Sequence, residues 1–302
     1  GSRALFNSAK LIQLNVAAAD AGKHWALPLV ADARAGLAAL SSALGDWRTP
    51  AAWQGKAAAA ITDWHGTVEQ IVAAPRGNQL PSDGQVLGAV NRQASENDIV
   101  VCAAGGLPGE LHKLWRAARP ETYHLEYGFS CMGYEIAGGL GVKLARPDRR
   151  VLVLVGDGSY LMLNSEIATS ILLGARLEIV VLDNRGYGCI NRLQQACGGA
   201  PFNNLFEDTL HQSMPEIDFV AHAASLGAIA EKANSIAELD AALARSKSSD
   251  RTHVIVIETD PGISTSAGGT WWDVPVAQVS ERAEVTAAHG RYAQAITQRD
   301  KN

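Results

Sequence analysis

Short runs of Val, Ile and Leu recur along the chain, each followed by a glycine- or asparagine-bearing turn and then a stretch with helical spacing. "LIQLNV" (11–16) reads as a short strand. "PLVADARAGLAALSSAL" (28–44) reads as a strand end, an Asp32 N-cap and an Ala/Leu helix. Residues 51–74 are helical in composition, and "PRGNQLPSDG" (75–84) is loop. From there the alternation is regular. A helix is expected over 85–94, a strand over 98–104, and a glycine-rich turn entering a helix over 105–118. Another helix follows over 134–145, then a strand with its exit over 150–158. A helix over 165–175 could be capped by Ser165 or Asn164, and a strand follows over 177–184. Helices over 218–227 and 235–246 and a strand over 253–260 complete the pattern. Continuous apolar strands alternating with helices predict an α/β fold, a parallel sheet flanked by helices on both faces. The segment 190–215 looks less regular and is expected to form a lid or substrate loop.

Composition narrows the function classes. The 302 residues fit about two domains. A net charge of −5 gives no electrostatic reason to expect nucleic acid as a partner. No apolar run reaches the length of a membrane span. The four cysteines show no C-x-x-C spacing, which argues against a structural zinc site and fits a reducing, cytoplasmic setting. Gly1-Ser2 reads as a cloning remnant.

The chemistry sits in "VGDGSYLMLNSEIATSILLGARLEIVVLDNRGYG" (155–188). One strand-like run ends in Gly156-Asp157-Gly158 and the next in Asp183-Asn184. In a parallel sheet, ligands bind outside the carboxyl ends of the strands, and one crossover can make two such ends neighbours. An Asp157 carboxylate, an Asn184 amide oxygen and a Gly186 carbonyl would suit Mg²⁺ or Ca²⁺, with phosphate and water completing the shell. Gly156 and Gly158 would let the backbone approach the phosphate, and amides beside Ser159 could donate to it. As a lone turn, Gly-Asp-Gly would mean little. Strand, GDGS, helix, strand and (D/N)N-x-G together are more specific.

This arrangement resembles the signature of thiamine-diphosphate enzymes. The resemblance makes Asn184 the metal ligand of the asparagine pair; Asp183 stands at the non-ligand position. "EYGFSCMGYEIAGGLGVKLA" (126–145) is similar to the family segment around the thiazolium and pyrimidine. By that likeness Met132 is the apolar wedge that bends the cofactor into a V, and the Ser130 carbonyl and Met132 amide bind the aminopyrimidine edge. Core filling is the ordinary role of a methionine and is the competing reading. "GGLPGELHKLW" (105–115) resembles the loop that contacts the cofactor in acetolactate-synthase-like members. That implies contacts from Leu107, Gly109 and His112, although a surface histidine is nearly as good a reading of His112.

The wording of 10–290, above all "WWDVPVAQVS" (271–280), is similar to a branch of inositol catabolism. Its members open a cyclic trihydroxycyclohexane-dione to 5-deoxy-glucuronate with thiamine diphosphate and Mg²⁺. An acetolactate-synthase-like carboligase or a 2-oxo-acid decarboxylase is the alternative. The resemblance further implies a domain plan: 1–45 a remnant of the central α/β domain, 46–84 a linker and helix, and 85–302 the diphosphate-binding domain. The pyrimidine-binding domain, which supplies the activating glutamate, has no counterpart in the sequence, so the chain is expected to be inactive alone and the full-length enzyme a homo-oligomer. The face that meets that missing domain should be apolar and could drive self-association. Tyr127, His112 and residues of 186–212 are candidate polar groups near the reacting carbon.

Overall fold

The computed structural model describes residues 6, 9–269 and 273–301. The chain divides into two compact units, one formed by 1–65 with 269–302 and the other by 66–268. In the first, strands β1 (Ile12–Asn15) and β2 (Leu27–Val30) pair in parallel, with a short helix α1 (Ala18–Ala21) between them. Helix α2 (Ala33–Leu44) starts where expected, because the Asp32 side chain accepts from the Ala35 amide. The long helix α3 (Ala51–Ile71) follows.

The second unit holds the main sheet. Helix α4 (Asp83–Gln93) begins two residues before the expected helix. Ser82 and Gln85 form a reciprocal capping box there, which fixes the start independently of the apolar periodicity. Then come β3 (Ile99–Cys102), α5 (Leu107–Leu114), β4 (Tyr123–Leu125), α6 (Tyr134–Ala145), β5 (Val151–Gly156), α7 (Asp157–Met162), α8 (Glu166–Leu172) and β6 (Glu178–Asp183). Helices α9 (Gly188–Ala196) and α10 (Phe219–Ser225), strand β7 (Ile229–Ala233), helix α11 (Ile236–Ser246) and strand β8 (His253–Glu258) complete it. In the first unit, helix α12 (Ala283–Lys301) closes the described chain.

Among the described residues the main sheet has six strands in the order β4-β3-β5-β6-β8-β7, all parallel. The residues of β3 and β6 are wholly buried, as expected of strands covered on both faces. One face packs Leu152, Leu154, Val180 and Leu182 under α4, α5 and α11. The other packs Val151, Val153, Ile179 and Val181 under α6, α8 and α10. After β3 the chain runs outward to β4, then crosses back to place β5 on the other side of β3. The sheet therefore has its switch point between β3 and β5, where the loops leaving the two strands diverge and open a crevice.

Several expectations need correcting. Neither Ser165 nor Asn164 caps α8: Ser165 is already in helical conformation with no side-chain cap bond, and the Asn164 amide donates back to the Tyr160 carbonyl. The segment 190–215 is not irregular at its start. Gly188–Ala196 is helical, with enough Leu, Gln and Ala to outweigh its glycine and asparagine. Edge strands β4 and β7 went unanticipated because "YHL" and "IAEKA" carry too few apolar residues to stand out. Trp271 and Trp272 of the branch-specific segment, and Gly1-Ser2, lie outside the described residues. Among the described residues no helix is long and apolar enough to cross a membrane.

At the amino ends of the strands a buried ion network ties the sheet together. Arg150 reaches Asp98 at 2.9 Å, and its Nε donates to Glu178 at 3.0 Å, with a second guanidinium nitrogen on the same carboxylate. Glu178 is 1% exposed. Arg150→Ala would leave buried Asp98 without its cation and Glu178 with only Arg176 at 3.9 Å, and is expected to lower the unfolding free energy by about 3–5 kcal/mol. Urea denaturation of the two proteins checks this; a loss under about 1 kcal/mol would mean the network behaves as a surface ion pair.

Candidate active site

A cleft of about 280 Å³ opens at the switch point. Its walls come from the loop after β3 (Ala104–Leu107), the turn at Ser130 and Met132, the loop after β5 (Gly156–Ser159), and the segment after β6 from Asn184 to Arg192. Asp83, the first residue of α4, contributes from below.

The GDG segment leaves β5 and turns at once into α7, so Asp157 stands at the strand tip and is buried. Its carboxylate accepts from the Gly186 amide at 2.8 Å and, more loosely, from the Asn184 amide at 3.5 Å. The two strand ends are therefore joined directly. Burial, and then the Asp183 carboxylate, push Asp157 up to about 7, against the amides that bond it. Asp183 turns away from the cleft and accepts from the Arg185 amide at 3.0 Å. Gly158 lies under Tyr187: a Cβ there would come within 2.7 Å of the ring and 3.6 Å of the Gly186 carbonyl oxygen. That carbonyl accordingly faces the GDG turn. Gly186 has φ 142°, and a Cβ would strike the Asn204 carbonyl at 2.4 Å, because a strap formed by 203–206 pairs back onto 185–187. Asn184 Oδ1 accepts from the Gly188 amide at 3.4 Å and stays at the cleft wall.

The Met132 turn is attached to this site by one buried carboxylate. Glu135, 1% exposed, accepts from the Ala104 amide at 3.1 Å and from the Ser159 hydroxyl at 2.7 Å. Ser159 Oγ in turn accepts from the Gly133 amide at 2.7 Å. A second carboxylate, Glu126, accepts from the Phe129 and Cys131 amides at 3.0 and 2.8 Å, and those bonds hold its pKa below the usual carboxylate range. The turn needs this support, because Ser130 has a positive φ of 52°. Met132 remains 37% exposed and lines the cleft, so it is not packed as a core residue. Beside it, Phe129 is 90% exposed and Met162 and Leu163 are also exposed, which leaves an apolar ridge at the cleft mouth.

The structure thus brings together Leu107, Ser130, Met132, Gly156, Asp157, Gly158, Ser159, Asn184 and Gly186. Gly109 and His112 lie further along α5, outside the cleft lining; His112 is exposed and packs against Tyr123 and Tyr127. The sequence reading gave no role to Glu135 or Asp83, and took in Tyr187 and Arg192 only as part of the span 186–212. Glu135 carried a visible signal, a lone acid in the otherwise apolar "YEIAGGLGVKLA". Asp83 is far from the motif in sequence and carried none, whereas Arg192 stands four residues beyond its end.

Asp83 is pushed up to about 6, chiefly by burial, against the lowering influence of Arg192. Folded Asp83 thus keeps its proton to about pH 6, whereas an ordinary aspartate releases it near 3.8. Between those values the folded state binds more protons than the unfolded one. The contribution is complete below the ordinary pKa and is lost as pH rises through the folded one. The stability difference between wild type and Asp83→Asn should therefore shift against wild type by up to about 3 kcal/mol from pH 4 to pH 7. Denaturant titrations across that range test it, and parallel pH profiles for the two proteins would refute it.

Comparison with known proteins bears on this geometry. The C-terminal TPP-binding domain of thiamine pyrophosphate enzymes matches residues 103–257. A 3D-(3,5/4)-trihydroxycyclohexane-1,2-dione hydrolase of Geobacillus thermodenitrificans is 37% identical over 95% of this chain and 49% of its own length. The protein of the same name from Bacillus subtilis is 42% identical over 70% of this chain and 33% of its own length. The chain spans about half the length of the first of these relatives, and less of the second. A thiamine diphosphate-dependent 4-hydroxybenzoylformate decarboxylase from Rhodococcus jostii RHA1 shares the fold, with a TM-score of 0.55 and 20% identity over 62% of this chain and 34% of that one. The match takes in every residue of the cleft lining but Asp83, and the chain belongs to the thiamine pyrophosphate enzymes through their C-terminal cofactor-binding domain.

Proposed function

We propose that this chain provides the diphosphate-binding part of a thiamine-diphosphate- and Mg²⁺-dependent hydrolase. Its reaction would break a ring C–C bond of a cyclic trihydroxycyclohexane-1,2-dione to give 5-deoxy-glucuronate. The observation that carries the cofactor reading is the meeting of Asp157, Asn184 and Gly186 at one edge of the cleft. The names of the relatives that match most of the chain support the substrate.

The residues fit the group. Among the described residues no cluster of three His, Cys, Asp or Glu could hold a metal by itself. One carboxylate, one amide oxygen and one backbone carbonyl suit a hard cation that takes its remaining ligands from phosphate and water. A Cβ at Gly105 or Gly156 would meet no protein atom within 4 Å, yet both glycines line the cleft, so side chains there would take up room the ligand needs. Helices α5 and α9 begin at the cleft with Leu107 and Gly188, and their free amides favour an anion.

Bound thiamine diphosphate would supply the electron sink for C–C cleavage. The chain's own residues bind and orient it. Asp157, Asn184 and the Gly186 carbonyl would hold the cation. Amides around Gly158 and Ser159 would meet the diphosphate. Ser130 and Met132 would bear on the pyrimidine and thiazolium, with Glu135 fixing their distance from the GDG turn. The glutamate that activates the pyrimidine is assigned to a pyrimidine-binding domain outside this sequence. The apolar ridge of Phe129, Met162 and Leu163 is the surface that domain would cover, within a homo-oligomeric enzyme.

Calorimetry of thiamine diphosphate binding to this chain with Mg²⁺ tests the reading. Wild type is expected to bind only when Mg²⁺ is present, and Asp157→Ala not at all; equal affinity in the two proteins would remove the metal assignment. Met132→Ala should leave thermal stability nearly unchanged, since the side chain is partly exposed, while reducing turnover in the complete enzyme. A large fall in stability with turnover per folded molecule retained would return Met132 to the role of core filler.

A further inference from the structure

We propose that Arg192 is the cation that receives the terminal phosphate of the bound diphosphate. The inference rests on the cleft being the diphosphate site. Among the described residues that line it, two are carboxylates, Asp83 and Asp157, and Arg192 is the one cation. A diphosphate ester adds several negative charges, and a single divalent cation beside Asp157 does not offset them.

Arg192 is placed for that task. Its Nη1 donates to the Pro261 carbonyl at 2.6 Å, which anchors one side of the guanidinium. The other side lies against the bare Cα of Gly106, where a Cβ would come within 2.5 Å of Nη2. Gly106 is the residue before α5 and lines the cleft. The guanidinium therefore bridges the loop after β3 and helix α9, the two segments whose amides open on the cleft. The electrostatics of α9 point the same way. Its first turn carries no acidic residue to repel a bound anion, and Arg192 stands in the turn that follows. Arginine also suits a phosphate better than lysine would, because its planar fork can give two parallel bonds.

The test is calorimetry of the 302-residue chain with inorganic diphosphate and Mg²⁺, using Arg192→Gln, Arg192→Lys and Asp157→Ala, with thermal melts to show that each variant is folded. Arg192→Gln is expected to weaken diphosphate binding by roughly tenfold to a hundredfold. A folded Arg192→Gln that binds like wild type, while Asp157→Ala has lost binding, would overturn the role of Arg192 and leave the cofactor site standing. If Arg192→Gln does not fold, Arg192→Lys, which keeps the charge and gives up the two parallel bonds, decides: weaker binding supports the inference, and unchanged binding overturns it. Failure of wild type to bind diphosphate removes both the site and this inference.

Discussion

The Glu135 carboxylate bonds to groups from two of the four segments that wall the cleft, and reaches a third through one of them. One oxygen takes the Ala104 amide from the loop after β3. The other takes the Ser159 hydroxyl after β5, which itself receives the Gly133 amide from the turn before α6. None of these contacts is near solvent, so each bond is made where water cannot replace it. A cofactor spanning the cleft needs its two ends held at a fixed separation. Here that separation is set by one side chain and one hydroxyl, and the precision comes from a satisfied buried network mounted on rigid strand ends.

The sheet makes such a network possible. Strand order reverses between β3 and β5, so the loops leaving them diverge and leave a crevice that backbone amides line. The strands themselves contribute little chemistry; their Val, Ile and Leu side chains fix where the tips lie. The ion network around Arg150 grips the opposite ends of the same strands. The site thus stands at one end of a core that is held at the other.

Much of this was legible in the chain because apolar runs and glycine turns are local signals. The strands β3, β5, β6 and β8, the Asp32 cap, and the meeting of Asp157 with the Asn184–Gly186 turn all follow from short stretches. What escaped notice depends on tertiary context. The edge strands β4 and β7 are half-covered and carry mixed side chains, so no apolar run marks them. Helix α9 hides behind the glycines that shape the turn before it. Asp83 comes to the cleft floor only because α4 packs against α5 and α11, which no spacing in the sequence encodes. His112 shows the converse: its motif position is clear, yet the helix carries it to the surface against two tyrosines.

The strap over the Gly186 turn bears on how such a protein can change over time. Residues 203–206 are held to 185–187 through the Tyr187 amide on the Asn204 carbonyl and the Phe206 amide on the Arg185 carbonyl. These are main-chain bonds, indifferent to the side chains that flank them. Glycine is obligatory at 186, where a Cβ would strike the strap, and Leu205 within the strap is buried, whereas the exposed residues that flank it, Phe202 and Glu207, can drift without loosening it. A lineage could therefore rewrite the outward-facing chemistry of this segment in single steps while the Gly186 turn beneath keeps its shape.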